Sequence, residues 1–142
     1  MTTIDKSELL EAYEDVRNDT SPTIWMVCTY EGNNICLGGK GEDYDELKNH
    51  LGEDDRAFAF VRIIMGDELS KRAKFVLITW SGTNVGGIKR AKMSTDKTLV
   101  KNVIKSFAVE IMANDHEEVT LDVIKDTLAK VGGANYGTGV RD

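Results

Sequence analysis

The sequence predicts a single α/β domain in which a mixed sheet carries helices on both faces. Three observations predict it. Two segments, 57–65 and 75–80, are almost continuously apolar, as strands covered on two faces are. Helical periodicity brackets them, with apolar residues spaced by three and four near the N-terminus and again beyond residue 95. The length of 142 residues suits one core, with neither an internal repeat nor a linker long enough to divide the chain.

Each element follows in turn. Residues 7–18 read as an amphipathic helix, with Leu9, Leu10, Tyr13, Val16 and Arg17 on one stripe, Asp5 near its start as a cap and Ser21-Pro22 breaking it. Residues 23–30 are rich in β-branched and aromatic side chains and predict a strand. Gly32-Asn33-Asn34 is the turn, and 35–37 begins the return strand. Gly38-Gly39-Lys40-Gly41 reads as loop, and 44–51 as a short helix closed by Gly52. The link between the two apolar strands, 66–72, is polar and turn-like, and a second loop follows Trp80. The longest helix is expected over about 95–113, where Leu99, Val103, Phe107 and Ile111 recur every fourth residue, with Ser94 and Thr95 as caps and Asp96 in the first turn. An edge strand is expected at 118–119 and a last helix over 121–131, ended by Gly132-Gly133. The expected domain covers 1–136, and 137–142 form a mobile tail.

Composition narrows the function. Forty-one per cent apolar and 30% charged residues are ordinary globular proportions. No apolar run approaches the roughly 20 residues of a membrane span, and the first residues lack a secretory pattern, so the expected compartment is the cytosol. Cys28 and Cys36 form no metal-type pair and are expected to be buried free thiols. Formal charge is −6, but unevenly spread: residues 1–55 carry −10, 56–105 carry +8 and 106–142 carry −4. A basic middle third suits an acidic partner surface, or is neutralised within the fold; charge alone leaves both open.

Nothing in the sequence assembles an active site. His50 and His116 lie outside metal-ligand spacings and are expected to face solvent. Cys28 sits in an apolar strand, where a thiol is inert. Gly38-Gly39-Lys40-Gly41 lacks the Walker spacing and the following Ser or Thr. The acidic clusters 42–46 and 53–55 lack the calcium-loop pattern. The expectation is a protein without catalysis, cofactor or metal.

The basic residues carry more information. Lys97, Lys101 and Lys105 recur every four residues, a spacing of like charges that disfavours a helix by a few tenths of a kcal/mol per pair. Such a stripe has a binding reason or solubilises an exposed face. Lys71-Arg72-Ala73-Lys74 opens the second apolar strand, and Lys89-Arg90-Ala91-Lys92 precedes the expected long helix. The three clusters are candidates for one cationic face.

At these residues the sequence resembles a known family. Lys71-Arg72-Ala73-Lys74-Phe75 with Leu77-Ile78-Thr79-Trp80, and Ile88-Lys89-Arg90-Ala91-Lys92 with Thr95-Asp96-Lys97-Thr98-Leu99-Val100-Lys101, are similar to the coactosin signature. Phe58-Ala59-Phe60-Val61-Arg62 and Gly132-Gly133-Ala134-Asn135-Tyr136 resemble it too, so the likeness runs over about residues 4–136. The wider actin-depolymerising-factor homology family includes cofilin and the twinfilin domains. The resemblance implies a central mixed, mainly antiparallel sheet of five to six strands sandwiched between helices. It implies a monomeric cytoplasmic protein of the actin cytoskeleton that binds the sides of actin filaments in preference to monomer, with little severing or depolymerisation. Carried over by motif, the actin-facing residues are Arg72, Lys74 and Lys101, with Lys92, Lys97 and Lys71 beside them. Departures from cofilin are Gly82 where cofilins carry Pro, Met93-Ser94-Thr95 in place of Tyr-Ala-Ser, and Thr2 and Thr3 where cofilins carry a regulatory serine. These favour a coactosin over the alternative of a cofilin-like depolymerising factor. A basic face could also bind anionic lipid, a non-actin protein or nucleic acid; the acidic total and the lack of interleaved aromatics argue against the last.

Overall fold

A computed structural model describes residues 1–66 and 69–137, with the backbone alone for 132–137. In chain order the elements are β1 (Thr3–Ile4), α1 (Lys6–Arg17), β2 (Trp25–Glu31), β3 (Asn34–Gly41), a 3-10 helix (Tyr44–His50), β4 (Arg56–Gly66), β5 (Lys71–Ser81), α2 (Gly87–Lys101), β6 (Val109–Ala113), a second 3-10 helix (His116–Val119) and α3 (Leu121–Gly137). The six strands form one sheet in the order β1-β3-β2-β4-β5-β6. The β3–β2, β2–β4 and β4–β5 pairs are antiparallel, and both edge strands pair parallel. The mixed, mainly antiparallel sheet between helices is as the sequence and its resemblance predict.

Alternation along the strands divides the core between two faces. Trp25, Val27, Ala59, Val61, Val76, Ile78 and Trp80 pack against Leu47 and Val119 of the 3-10 helices, Leu51 just after the first of them, and Ile124 and Leu128 of α3. Met26, Phe58, Phe60 and Leu77 pack against Leu9, Tyr13 and Val16 of α1 and Met93 and Val100 of α2. Within α1, Leu10 is 44% exposed and lies off the buried stripe. Asp5 stands at the N-cap, but its side chain makes no capping bond.

The region 95–113 departs most from expectation. The helix starts earlier, at Gly87, and ends at Lys101; residues 102–108 turn, and 109–113 form β6. Ser94, Thr95 and Asp96 therefore lie mid-helix and cap nothing, and Lys89–Lys92 lie inside α2. The reason is backbone hydrogen bonding. On its outer side, β5 would leave unpaired peptide groups beside a packed core, and β6 satisfies them from Val76↔Val109 to Trp80↔Ala113. The expected strand at 118–119 is instead part of the second 3-10 helix, capped by Asp115. Gly132-Gly133 do not end α3, which runs to Gly137; glycine permits a stop without enforcing one. Of the expected tail, 138–142 lie outside the described residues, as do 67 and 68 of the β4–β5 link.

Residues 38–41 are strand, not loop, and their glycines have a packing cause. A Cβ at Gly41 would run into the Trp25 ring, and one at Gly39 would come within 2.8 Å of His50. His50 is accordingly half-buried against Trp25, with ring centroids 5.3 Å apart, not solvent-facing. His116 is exposed but stacks on Trp80, and its Nε2 lies 2.6 Å from the Leu51 carbonyl. Cys28 is fully buried; Cys36 is only half-buried.

Candidate functional site

Beyond the sheet proper, β4 and β5 continue as a two-stranded ribbon. β2 pairs with β4 only as far as Val61, and β6 pairs with β5 only from Val76. Single further bonds, Arg62 N–H to the Ile24 carbonyl and Ala108 N–H to the Phe75 carbonyl, close the sheet there. Past them, among the described residues, Ile63↔Lys74, Ile64↔Ala73, Met65↔Arg72 and Gly66↔Lys71 pair with each other alone. Lys71 and Arg72 are exposed and Lys74 half-buried. Among the described residues none of the three side chains makes an ion pair or hydrogen bond. Ile64 on the ribbon is 52% exposed, and Leu69 in the link that joins its two strands is 96% exposed.

Pairing also assigns the faces. Ile63 belongs to the α3-side core, so Lys74 opposite it, and Arg72 two residues away, project to that side. Lys71 and Ala73 project to the side of α1 and α2. The α2 lysines lie on that second side, so the three basic clusters do not share one face. They share an end only in part. Arg90, near the start of α2, bonds Ser81 at the far end of β5, and the chain leaving α2 returns beside Phe75. Lys101, at the end of α2, meets Glu110 opposite Leu77, three residues along β5 from Lys74, while Lys92 sits about 13 Å back along the helix. There it bonds Asn33 Oδ1 at 3.3 Å.

The α2 cations are largely engaged. Glu110 on β6 takes both Lys97 and Lys101: Lys97 Nζ meets Oε2 at 2.5 Å and Lys101 Nζ meets Oε1 at 2.8 Å. Burial raises the Glu110 pKa, but hydrogen bonds and charge from Lys101 and Lys97 outweigh it and hold the carboxylate below its ordinary range. The Lys97–Lys101 spacing thus has a reason within the fold: one carboxylate bridges two like charges. Lys105 lies beyond the helix, so the stripe does not extend to it. Glu110 was illegible in the sequence because the expected helix put it on no face of a sheet.

Other basic residues of the middle third serve the fold. The Arg62 guanidinium is buried and donates to the carbonyls of Val16, Asn18 and Ser21. Arg90 donates to Ser81 Oγ and to the carbonyls of Gly82 and Val85, holding the loop after Trp80. Arg56 lies 3.8 Å from the Tyr30 ring centroid. Gly82, where cofilins have Pro, donates its N–H to the Asp55 carbonyl, and a Cβ there would strike the Glu53 backbone. Proline could not make that bond. No group of three His, Cys, Asp or Glu able to hold a metal occurs among the described residues, and no helix among them is long and apolar enough to cross a membrane.

The same fold and much of the same sequence occur in known proteins. Residues 1–129 match the family described as cofilin/tropomyosin-type actin-binding protein. Human coactosin-like protein is 49% identical over 135 residues, covering 95% of each chain. The chain belongs to the coactosins within that family. A crystal structure of human coactosin-like protein superposes with a TM-score of 0.89 at 47% identity, covering 92% of this chain and 99% of that one. The solution structure of mouse coactosin, an actin filament binding protein, matches with a TM-score of 0.79 at 46% identity over 99% of both chains. Coactosin membership extends over the ribbon, α2 and β6 alike.

Proposed function

We propose that the chain binds the sides of actin filaments in preference to monomeric actin, without catalysis and with little severing or depolymerising activity, as a cytoplasmic protein acting as a monomer. The observation that carries this reading is the projecting ribbon, where Lys71, Arg72 and Lys74 stand clear of the sheet with no counter-charge among the described residues. Arg72 and Lys74 form the main contact with acidic groups on filament subunits. Lys101, held on Glu110 at the end of α2, extends the contact on the α2 side, with Lys71 and Lys92 beside it and Lys97 behind it. Charge steers the encounter, and the exposed Leu69 and Ile64 supply apolar contact that lengthens residence. Gly82 in place of the cofilin Pro, and Thr2 and Thr3 in place of a regulatory serine, support weak severing and no cofilin-style phosphorylation.

The test is co-sedimentation with actin filaments, beside a binding assay on monomer. Pelleting should weaken as salt rises, and Lys74→Glu should abolish it while thermal stability stays within about 2 °C of the parent. A Lys74→Glu protein that pellets like the parent would remove Lys74 from the contact. The same ribbon, with apolar Leu69 and Ile64 among cations, favours anionic lipid as the second reading. Flotation with phosphatidylserine vesicles, unaffected by actin, would support it.

A further inference from the structure

We propose that Glu110 is a positioning residue for Lys101 and that Lys97 props Glu110 without itself touching the partner. The inference rests on the reading that Lys101 contacts the filament. Register places it: Glu110 pairs with Leu77, whose side chain lies in the core beneath α2, so the Glu110 carboxylate rises on the α2 side of the β6 edge. Lys97 and Lys101 are one helical turn apart and take one carboxylate oxygen each.

The two lysines differ in what remains to them. The Lys97 side chain is 14% exposed and that of Lys101 41%. An ammonium has three donors; with one on Glu110, Lys101 keeps two for an incoming carboxylate, on a side of the molecule that solvent reaches. Its Nζ also lies 5.7 Å from the Phe107 ring centroid, a second restraint on the same head group. Lys97, closed off, acts by holding Glu110 from the other side. The three groups together carry a charge of +1, presented through Lys101. A lysine already held extended loses less freedom on binding, worth about threefold to tenfold in affinity.

Two effects of removing the Glu110 charge oppose each other. Without it Lys101 is freed to wander, which weakens binding; without it a repulsion toward an acidic partner also vanishes, which strengthens binding. The repulsion acts through solvent and is screened at physiological ionic strength, whereas the orientation is not. Positioning therefore wins at about 0.15 M salt.

The experiment is a double-mutant cycle read by co-sedimentation with purified actin filaments at about 0.15 M salt, with thermal melts on every variant. Glu110→Gln and Lys97→Met should each weaken binding about threefold to tenfold, and neither should weaken it further in a Lys101→Met background. Wholly additive losses would mean that Glu110 or Lys97 acts without Lys101 and would overturn the proposal. Tighter binding by Glu110→Gln would make Glu110 a simple repulsive charge, with the same consequence. If Lys101→Met weakens binding but Glu110→Gln does not, positioning fails and the contact stands. If Lys101→Met alone changes nothing, the contact reading fails and takes this proposal with it.

Discussion

Replacing Arg62 with methionine separates a cation that builds the fold from those proposed to face a partner. Arg62 belongs to the basic middle third and stands opposite Phe75, one residue pair inside the ribbon. Yet it is 8% exposed, and its donors go to main-chain carbonyls: Nη1 to Val16 at 3.0 Å and Asn18 at 2.6 Å, Nη2 to Ser21 at 2.7 Å. Val16 is in the last turn of α1, where carbonyls lack intrahelical partners and the helix dipole is negative. A hydrogen bond to a charged group contributes about 1.5–3 kcal/mol, most when its loss strands a buried acceptor. Asn18 is exposed and Ser21 half-buried, so water can replace arginine at both; Val16 is fully buried. One full loss and two partial ones give about 3 kcal/mol, part of a total stability of about 5–15 kcal/mol. At this chain length that lowers the melting temperature by about 10 °C. Circular dichroism melts at pH 7 read the shift, and co-sedimentation well below the melting point should be unchanged. A melting temperature within about 2 °C of the parent would refute the structural role. Lost pelleting with an unchanged melt would make Arg62 a contact residue.

The remaining predictions concern other buried or bridged groups. Tyr30 donates to Asp96 Oδ2 at 2.6 Å, and Asp96 is 4% exposed, so Tyr30→Phe leaves a buried carboxylate short of a donor. The loss is about 1–3 kcal/mol in chemical denaturation, and an unchanged midpoint would sink the account. Glu110 titrates below its ordinary 4.5, so its stabilisation is present above that pH and disappears as pH falls through the lowered folded-state value. Melting curves of the parent and Glu110→Gln should therefore differ at pH 7 and converge in acid; a constant gap would show that the charge is irrelevant. Burial pushes the Cys28 thiol up to about 12, with the neighbouring Cys36 adding to the shift. A thiol reagent at pH 8 should titrate Cys36 in the native protein and Cys28 only after denaturant is added; two fast native thiols would contradict this burial.

Much of the fold was legible because its signals are local. The apolar runs of β4 and β5, the stripe of α1 and the breaker Ser21-Pro22 each act within a few residues, so periodicity and turn chemistry found them. The ribbon's basic residues were legible for the same reason: Lys71, Arg72 and Lys74 are consecutive or nearly so, and the motif names them. The segment 95–113 was not legible. Apolar residues every fourth position fit a helix, but residues 109–113 also satisfy a strand, and the choice depends on the open edge of β5, some 30 residues earlier in the chain.

The basic middle third shows the same division. Its amino-acid sequence alone determined that about fifty residues carry a charge of +8, and that their motifs are those of an actin-binding family. Only the tertiary structure decided where that charge is available. Arg62 meets the end of α1, Arg90 the loop after Trp80, and Lys97 and Lys101 share Glu110, while the ribbon's cations meet no counter-charge among the described residues. A charge is neutralised by whatever lies within a few ångströms of it, and that neighbour is set by strand register and packing, not by proximity along the chain.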